Sequence, residues 1–242
     1  MCLLFVSDLH LHTGAPAVVQ AFYRFLSTRA VHAQALYILG DFFDAWIGDD
    51  DDAPLGLEVA AKLRQLADTG VAIYLMPGNR DFLLGDDFAQ RAGCTLLPDP
   101  SVIELQGQPA VLLHGDSLCT RDQPYMALRA QVRSPQWQAQ VLAQPLPARR
   151  AMAAQLRAKS KTMNSSKPED IMDVTPEAVV QVLEANAAQL MIHGHTHRPQ
   201  RHPLTANGKA AERIVLGDWH DNAWCLVATD TALTLEHWPI DG

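Results

Sequence analysis

Seven side chains of metal-binding type recur at the ends of five short apolar runs. Cys2-Leu3-Leu4-Phe5-Val6 leads into Asp8 and His10, and Ala35-Leu36-Tyr37-Ile38-Leu39 leads into Gly40-Asp41. Ile73-Tyr74-Leu75-Met76 leads into Gly78-Asn79, Val111-Leu112-Leu113 into His114, and Leu190-Met191-Ile192 into His193-Gly194-His195-Thr196-His197. Two Asp, one Asn and four His make a mixed oxygen and nitrogen set without thiolate. Such a set suits Mn²⁺, Fe²⁺ or Co²⁺, with Zn²⁺ also open. A dinuclear centre holds two cations about 3.5–4 Å apart across a bridging carboxylate. Asp41 is the natural bridging carboxylate. Asp8 and His10 stand two apart on what reads as one extended stretch, so both side chains would reach the same side, and His195 and His197 repeat the spacing. A lone His at the end of an apolar run is usually a core residue. Five such runs in one register are not.

The elements that must position these residues follow from periodicity. Apolar runs bounded by Gly and Asp predict buried strands. Val18, Phe22, Phe25 and Leu26 recur at helical spacing over residues 16–29, with Pro16 suited to a first helical turn. Leu55, Val59, Leu63 and Leu66 do the same over 55–68. The resulting βαβ rhythm predicts an α/β domain with a largely parallel sheet and helices outside it. The rhythm breaks over about 119–173, where Ala, Gln, Arg, Met and Pro predominate. Helices are expected there at 125–133 and 146–161, as an insertion forming a lid. Thr175-Pro176-Glu177 then predicts a helix start with Thr175 as N-cap. The segments 213–216, 223–228 and 233–238 are expected to form a second, antiparallel layer. The whole of 1–242 is expected to be one domain carrying the insertion.

Net charge is −8, which argues against general affinity for nucleic acid. The charge is uneven. Residues 118–168 hold nine Lys or Arg against one acid, Asp122, so that segment carries +8 and the remainder −16. A basic, apolar insertion in an acidic chain points to an anionic ligand or an anionic membrane surface. The four cysteines form no CxxC pair and suit reduced thiols. No signal peptide and no membrane span are expected, so the expected location is cytoplasmic. Asp49 to Asp52 are expected to form a solvated loop. Trp46, Trp219 and Trp238 are expected in the core, and Asp44, Asp81, Asp116 and His193 are candidates for orienting the ligands.

The ordered motifs Asp8-Leu9-His10, Gly40-Asp41-Phe42-Phe43-Asp44, Gly78-Asn79-Arg80-Asp81, His114-Gly115-Asp116 and Gly194-His195-Thr196-His197 resemble those of the calcineurin-like metallophosphoesterases. The resemblance implies a four-layer fold, a β-sandwich flanked by helices. It implies two Mn²⁺ per chain. Asp8, His10, Asp41 and His197 would hold one ion, and Asp41, Asn79, His114 and His195 the other. Metal-activated water would then attack phosphorus in line.

One position departs from most of that superfamily, where His follows Gly-Asn. Arg80 stays protonated and cannot act as a general acid. A phosphate leaving group does not need the proton, since its second pKa is about 6. Arg80 is therefore expected to clamp phosphoryl oxygens at a pyrophosphate bond. Longer segments are similar to the UDP-2,3-diacylglucosamine pyrophosphohydrolases of lipid A biosynthesis. They are Gly40-Asp41-Phe42-Phe43-Asp44-Ala45-Trp46-Ile47-Gly48-Asp49, Gly78-Asn79-Arg80-Asp81-Phe82-Leu83, and 113–122, followed by Ser160-Lys161, Asn164, Lys167 and 171–174. That resemblance implies a nucleotide-linked glycolipid substrate, attack at the phosphorus next to uridine, and a monomer bound peripherally to the anionic inner membrane at its cytoplasmic face. Asn79, Arg80 and His195 would act in catalysis. Asn79, Arg80, Asp122, Ser160, Asn164, Lys167 and His195 would contact substrate. Arg121 and Ser165-Ser166 depart from the family pattern within the lid. Rival readings are a phosphodiesterase for soluble nucleotides, a non-catalytic scaffold, and a lipid-binding protein with a structural metal.

Overall fold

The computed structural model describes residues 2–158 and 173–240 in full and the backbone alone of 159–164. Two mixed sheets face each other. The first runs β11-β10-β1-β2-β3-β4, with β1 (Cys2–Val6), β2 (Ala35–Leu39), β3 (Ala72–Met76) and β4 (Thr95–Leu96) parallel. The second runs β5-β6-β7-β9-β8, built on the parallel trio β6 (Gln108–Leu113), β7 (Leu190–His193) and β9 (Lys209–Val215). β5 (Ser101–Leu105) and β8 (Gln200–Ala206) close its edges antiparallel.

Burial on both faces explains the unbroken apolar runs. Leu4, Val6, Leu36 and Ile38 face helices α1 (Pro16–Thr28), α2 (Pro54–Ala67) and α3 (Asp86–Ala92). Leu3, Phe5, Tyr37 and Leu39 pack between the sheets against Leu112, Ile192 and Ile214. A third cluster joins Val111 and Leu113 to Val179 and Leu183 of α7 (Pro176–Ala185). The expected four layers, helix–sheet–sheet–helix, are present. All four cysteines are free.

The C-terminal strands differ from the expected separate layer. β10 (Asn222–Thr229) pairs antiparallel with β1, and β11 (Leu233–Pro239) extends that same first sheet. The reason lies in β10 itself. Ala223 and Cys225 are buried toward the helices and Leu226 and Ala228 toward the second sheet, so both faces need cover and the strand sits inside the sheet. β9 is parallel to β7, not antiparallel.

Among the described residues the insertion holds three helices: α4 (Gln123–Val132), α5 (Pro135–Leu142) and α6 (Leu146–Asn164). The short α5 was not separately expected. It starts at Ser134, whose hydroxyl accepts from the Trp137 backbone N–H at 3.3 Å. Thr175 does not cap α7 through its side chain. Its Oγ1 instead lies 2.6 Å from Oγ1 of Thr120, and its N–H donates to the Leu118 carbonyl at 2.9 Å. Those bonds pin the two ends of the insertion together.

Candidate active site

The candidate ligands follow the C-terminal ends of β1, β2, β3, β6 and β7, all at one edge of the sandwich. Backbone bonds bind the loops to each other. Asp8 N–H donates to the Gly40 carbonyl at 3.0 Å, His10 N–H to the Asp41 carbonyl at 2.9 Å, and Gly194 N–H to the His114 carbonyl at 2.8 Å. Glycine is required where loops cross. A Cβ on Gly194 would stand 2.2 Å from Asp8 Oδ2, and one on Gly40 would stand 2.4 Å from His114 Nδ1.

The expected extended stretches are absent here. Asp8, His10, Asp41, His195 and His197 all have positive φ, between 48° and 68°. The left-handed region is uncommon for non-glycine residues and clusters at functional sites, held by surrounding contacts. These five candidates are thus aimed by their own backbone, not by alternation along a strand.

Asp8 is fully buried. Its Oδ2 accepts from Ser7 Oγ at 2.7 Å and from the His195 N–H at 2.8 Å. Among the described residues its Oδ1 is buried without a hydrogen-bond partner, with His197 Nε2 3.3 Å and His10 Nε2 3.9 Å away. The two Nε2 atoms are 3.2 Å apart. Asp41 Oδ1 accepts from the Arg80 N–H at 2.8 Å and lies 3.6 Å from His114 Nε2. Asn79 Oδ1 and His114 Nε2 are 2.8 Å apart, and the rings of His114 and His195 are 5.1 Å apart. His114 Nδ1 meets the Leu39 carbonyl at 3.0 Å, which turns Nε2 toward the cluster as the nitrogen that could hold a metal.

The electrostatics fit cations. Burial pushes Asp41 up to about 7, with the Asp8 and Asp81 charges adding and His114 opposing. Burial opposes charge on His114 too, but Asp41, Asp8 and Asp116 outweigh it and raise it to about 9. Burial also pushes Asp8 up, yet His197, His114 and His10 hold it well below the usual carboxylate range. Burial drops His10 to about 2 and His195 to about 4, so both are neutral donors at pH 7. Orphaned buried Asp8 Oδ1 and His10 Nδ1, crowded carboxylates and neutral imidazoles are a donor set that divalent metals satisfy.

Beside the cluster opens a cavity of about 530 Å³. Trp46, Phe82, Leu83, Leu128, Met152 and Leu156 give it apolar walls, and Arg80, Arg129, Arg133, Arg149 and Arg157 bring five guanidiniums to its lining.

The calcineurin-like phosphoesterase family matches residues 1–199. The chain belongs to that family. It is 63% identical to a UDP-2,3-diacylglucosamine hydrolase of Cellvibrio japonicus, over 98% of this chain and 99% of that protein. It is 56% identical to a protein of the same name from Marinobacter nauticus, over 99% of both. A solved archaeal phosphodiesterase covers 99% of both chains at 10% identity with a TM-score of 0.50, a likeness of fold.

The structure brings some of the candidate site residues together and leaves others apart. All seven candidate ligands converge. Asn79 and Arg80 line the cavity, and His195 lies under the Tyr125 ring, 6.1 Å between centroids. Asp122 is 6% exposed and caps α4, accepting from the Tyr125 N–H at 3.2 Å. Ser160, Asn164, Lys167 and Ser165-Ser166 lie outside the residues whose side chains are described. Arg121 is exposed. The expected Arg80 clamp is engaged with carboxylates: Nη1 donates to Asp44 at 2.8 Å and Nε lies 3.4 Å from Asp41 Oδ2.

Contacts qualify several expectations. The acidic run is a loop with the Asp50 and Asp52 side chains 61% and 78% exposed, as expected, but its carboxylates are also paired. Asp49 accepts from the Trp46 indole and the Gly85 and Phe88 N–H groups, Asp50 pairs with Arg149, and Asp51 and Asp52 pair with Arg150. Much of the insertion's positive charge therefore meets the acidic body, with Arg129 on Asp116 and Asp99 and Arg157 on Asp44 as further pairs. The candidates for orienting the ligands act on loops and neighbours: Asp81 accepts from the Phe42, Phe43 and Gly78 N–H groups beside Asp41 and Asn79, Asp44 binds Arg80, Asp116 binds Arg129 and the Tyr125 hydroxyl, and His193 turns its Nδ1 to the Gly194 carbonyl. Trp46 is buried in the core as expected, yet it also walls the cavity.

Asp218 was missed. Its Oδ2 lies 3.5 Å from His197 Nδ1, the position of a partner that orients a ligating imidazole. The signal was present, since Ile214-Val215-Leu216-Gly217-Asp218 is a sixth apolar run ending in Gly-Asp. Tyr125, which donates to Asp116 Oδ2 at 2.6 Å beside His195, carried no comparable signal.

Proposed function

We propose that this chain hydrolyses the pyrophosphate bond of UDP-2,3-diacylglucosamine, giving UMP and 2,3-diacylglucosamine 1-phosphate in lipid A biosynthesis. The observation that carries the reading is the apolar cavity with its five guanidiniums, placed directly beside the carboxylate–imidazole cluster. A soluble phosphodiester needs no such apolar walls, whereas acyl chains gain about 0.8 kcal/mol per buried CH₂. The names of the 63% and 56% identical relatives support the same lipid.

Asp8, His10, Asp41 and His197 would hold one ion and Asp41, Asn79, His114 and His195 the other, with Mn²⁺ proposed for both. Such a pair screens phosphoryl charge and supplies hydroxide near neutral pH. The chain's own residues do the rest. Leu39 fixes the His114 ring through its carbonyl, and the Asp8 carboxylate fixes the His195 backbone. Among the described residues, Nη2 of Arg80 has no hydrogen-bond partner, so the guanidinium retains a donor for a phosphoryl oxygen while its other nitrogens are anchored. Arg80 contributes charge, not a proton, which suits the sugar 1-phosphate as leaving group.

We further propose a single-domain monomer working at the cytoplasmic face of the inner membrane. Leu128 and Leu142 of the insertion are 41% and 42% exposed, and no helix among the described residues is long and apolar enough to cross a bilayer. The test compares the lipid substrate in detergent with UDP-N-acetylglucosamine, following UMP with Mn²⁺. The account expects the lipid to be favoured at least about a hundredfold in kcat/KM. Equal rates on both would refute a lipid-specific site.

A further inference from the structure

Arg80 stands between two carboxylates, and one of them is shared with the insertion. Its backbone N–H is fixed on Asp41 Oδ1 at 2.8 Å, so the root of the side chain is set by the candidate metal bridge. Its tip is set by Asp44, whose Oδ1 accepts from Arg80 Nη1 at 2.8 Å. The same Oδ1 lies 2.6 Å from Nη1 of Arg157 in α6, which also donates to the Asp44 carbonyl. All three residues line the cavity. The Arg80 stem has several rotatable bonds, and misplacing a charged group by about 1 Å can cost a hundredfold in rate. The Arg157 side chain is 40% exposed and that of Arg80 33%, so these pairs add little to folding stability. Their loss should register in rate before it registers in melting.

Building on the pyrophosphohydrolase reading above, we propose that Asp44 and Arg157 are positioning residues. Asp44 aims the Arg80 guanidinium at the scissile phosphate group, and Arg157 holds Asp44, so the insertion contributes to the rate of the chemical step as well as to lipid binding.

The test is a set of mutant cycles on the full chain with Mn²⁺, reading kcat and KM separately and counting bound metal. Asp44→Asn should lower kcat on UDP-2,3-diacylglucosamine by about ten- to a hundredfold with metal content unchanged. In an Arg80→Ala background the same change should cost less than about threefold, because Asp44 acts through Arg80. Arg157→Met should lower kcat less than Asp44→Asn, add nothing to it, and be partly rescued by Arg157→Lys. Multiplying losses of Asp44→Asn and Arg80→Ala, or metal lost from Asp44→Asn, would overturn the proposal. If Asp44→Asn does not fold, the cycle of Arg157→Met with Arg80→Ala decides by the same criterion. If the parent chain releases no UMP, the substrate assignment fails. The same cycles run on bis(p-nitrophenyl) phosphate then decide the positioning role.

Discussion

Nε2 of His10 and Nε2 of His197, 187 residues apart in sequence, face each other at 3.2 Å beside the unpartnered Oδ1 of Asp8. Two imidazole lone pairs and a carboxylate oxygen directed at one point repel unless a cation or a proton joins them. Metal and protons therefore compete for this cluster.

The sign of that competition follows from the individual groups. His10 and His195 are already neutral at pH 7, so they release nothing on metal binding. His114, raised to about 9, carries a proton below that pH, and Asp41 takes up another below about 7. Ligands must be deprotonated, so Mn²⁺ affinity should rise with pH, by about tenfold per unit near pH 8 and more steeply below pH 7. Titration calorimetry in buffers of different ionisation enthalpy measures the protons released. A pH-independent affinity between 6 and 9 would contradict this charge assignment.

Asn79→Ala should lower kcat by at least about a hundredfold, because its amide oxygen is assigned to a metal. It should also lower metal content from two ions toward one, with little change in melting temperature. His114→Ala should do the same to activity and metal. Full metal occupancy in either variant, counted by plasma mass spectrometry, would remove that residue from the ligand set.

Asp81 tests the scaffold in place of the chemistry. Fully buried, it accepts from the Phe42, Phe43 and Gly78 N–H groups at 2.7, 3.1 and 2.6 Å, which ties the Asp41 loop to the Asn79 loop. Asp81→Ala leaves three buried donors unpaired, at about 1–3 kcal/mol each. The expected loss is at least about 3 kcal/mol in chemical denaturation. A loss under about 1 kcal/mol would show that the loops hold without it.

The insertion is docked by Arg149, 2% exposed, which donates to the Ile47 and Gln144 carbonyls at 2.7 and 2.9 Å and pairs with Asp50. Arg149→Met should loosen α6 from the body. KM for the lipid should rise about tenfold or more, while turnover of bis(p-nitrophenyl) phosphate stays within about twofold. Parallel losses on both substrates would place Arg149 in support of the metal cluster as well as the cavity.

The candidate cluster was legible because buried strands and the polar residues that end them are both local signals. Asp8, Asp41, Asn79, His114 and His195 needed no tertiary information to be named as candidates. The backbone that aims them did. Positive φ at Asp8 or His197 is imposed by contacts between loops, such as Asp8 N–H on Gly40, that no local preference encodes. Sheet membership of β10 was hidden for a similar reason. Its short apolar stretch shows that both faces are buried, but not which sheet buries them. The pairing of the solvated Asp49 to Asp52 run was hidden too, because α6 brings Arg149 and Arg150 to it from about a hundred residues away.

The most direct measurement is hydrolysis of UDP-2,3-diacylglucosamine in oxygen-18 water with Mn²⁺, alongside an EDTA control. The account predicts EDTA-sensitive release of UMP with the label on its phosphate, as attack at the phosphorus next to uridine requires. Label on the diacylglucosamine 1-phosphate, or UMP release that persists in EDTA, would contradict it.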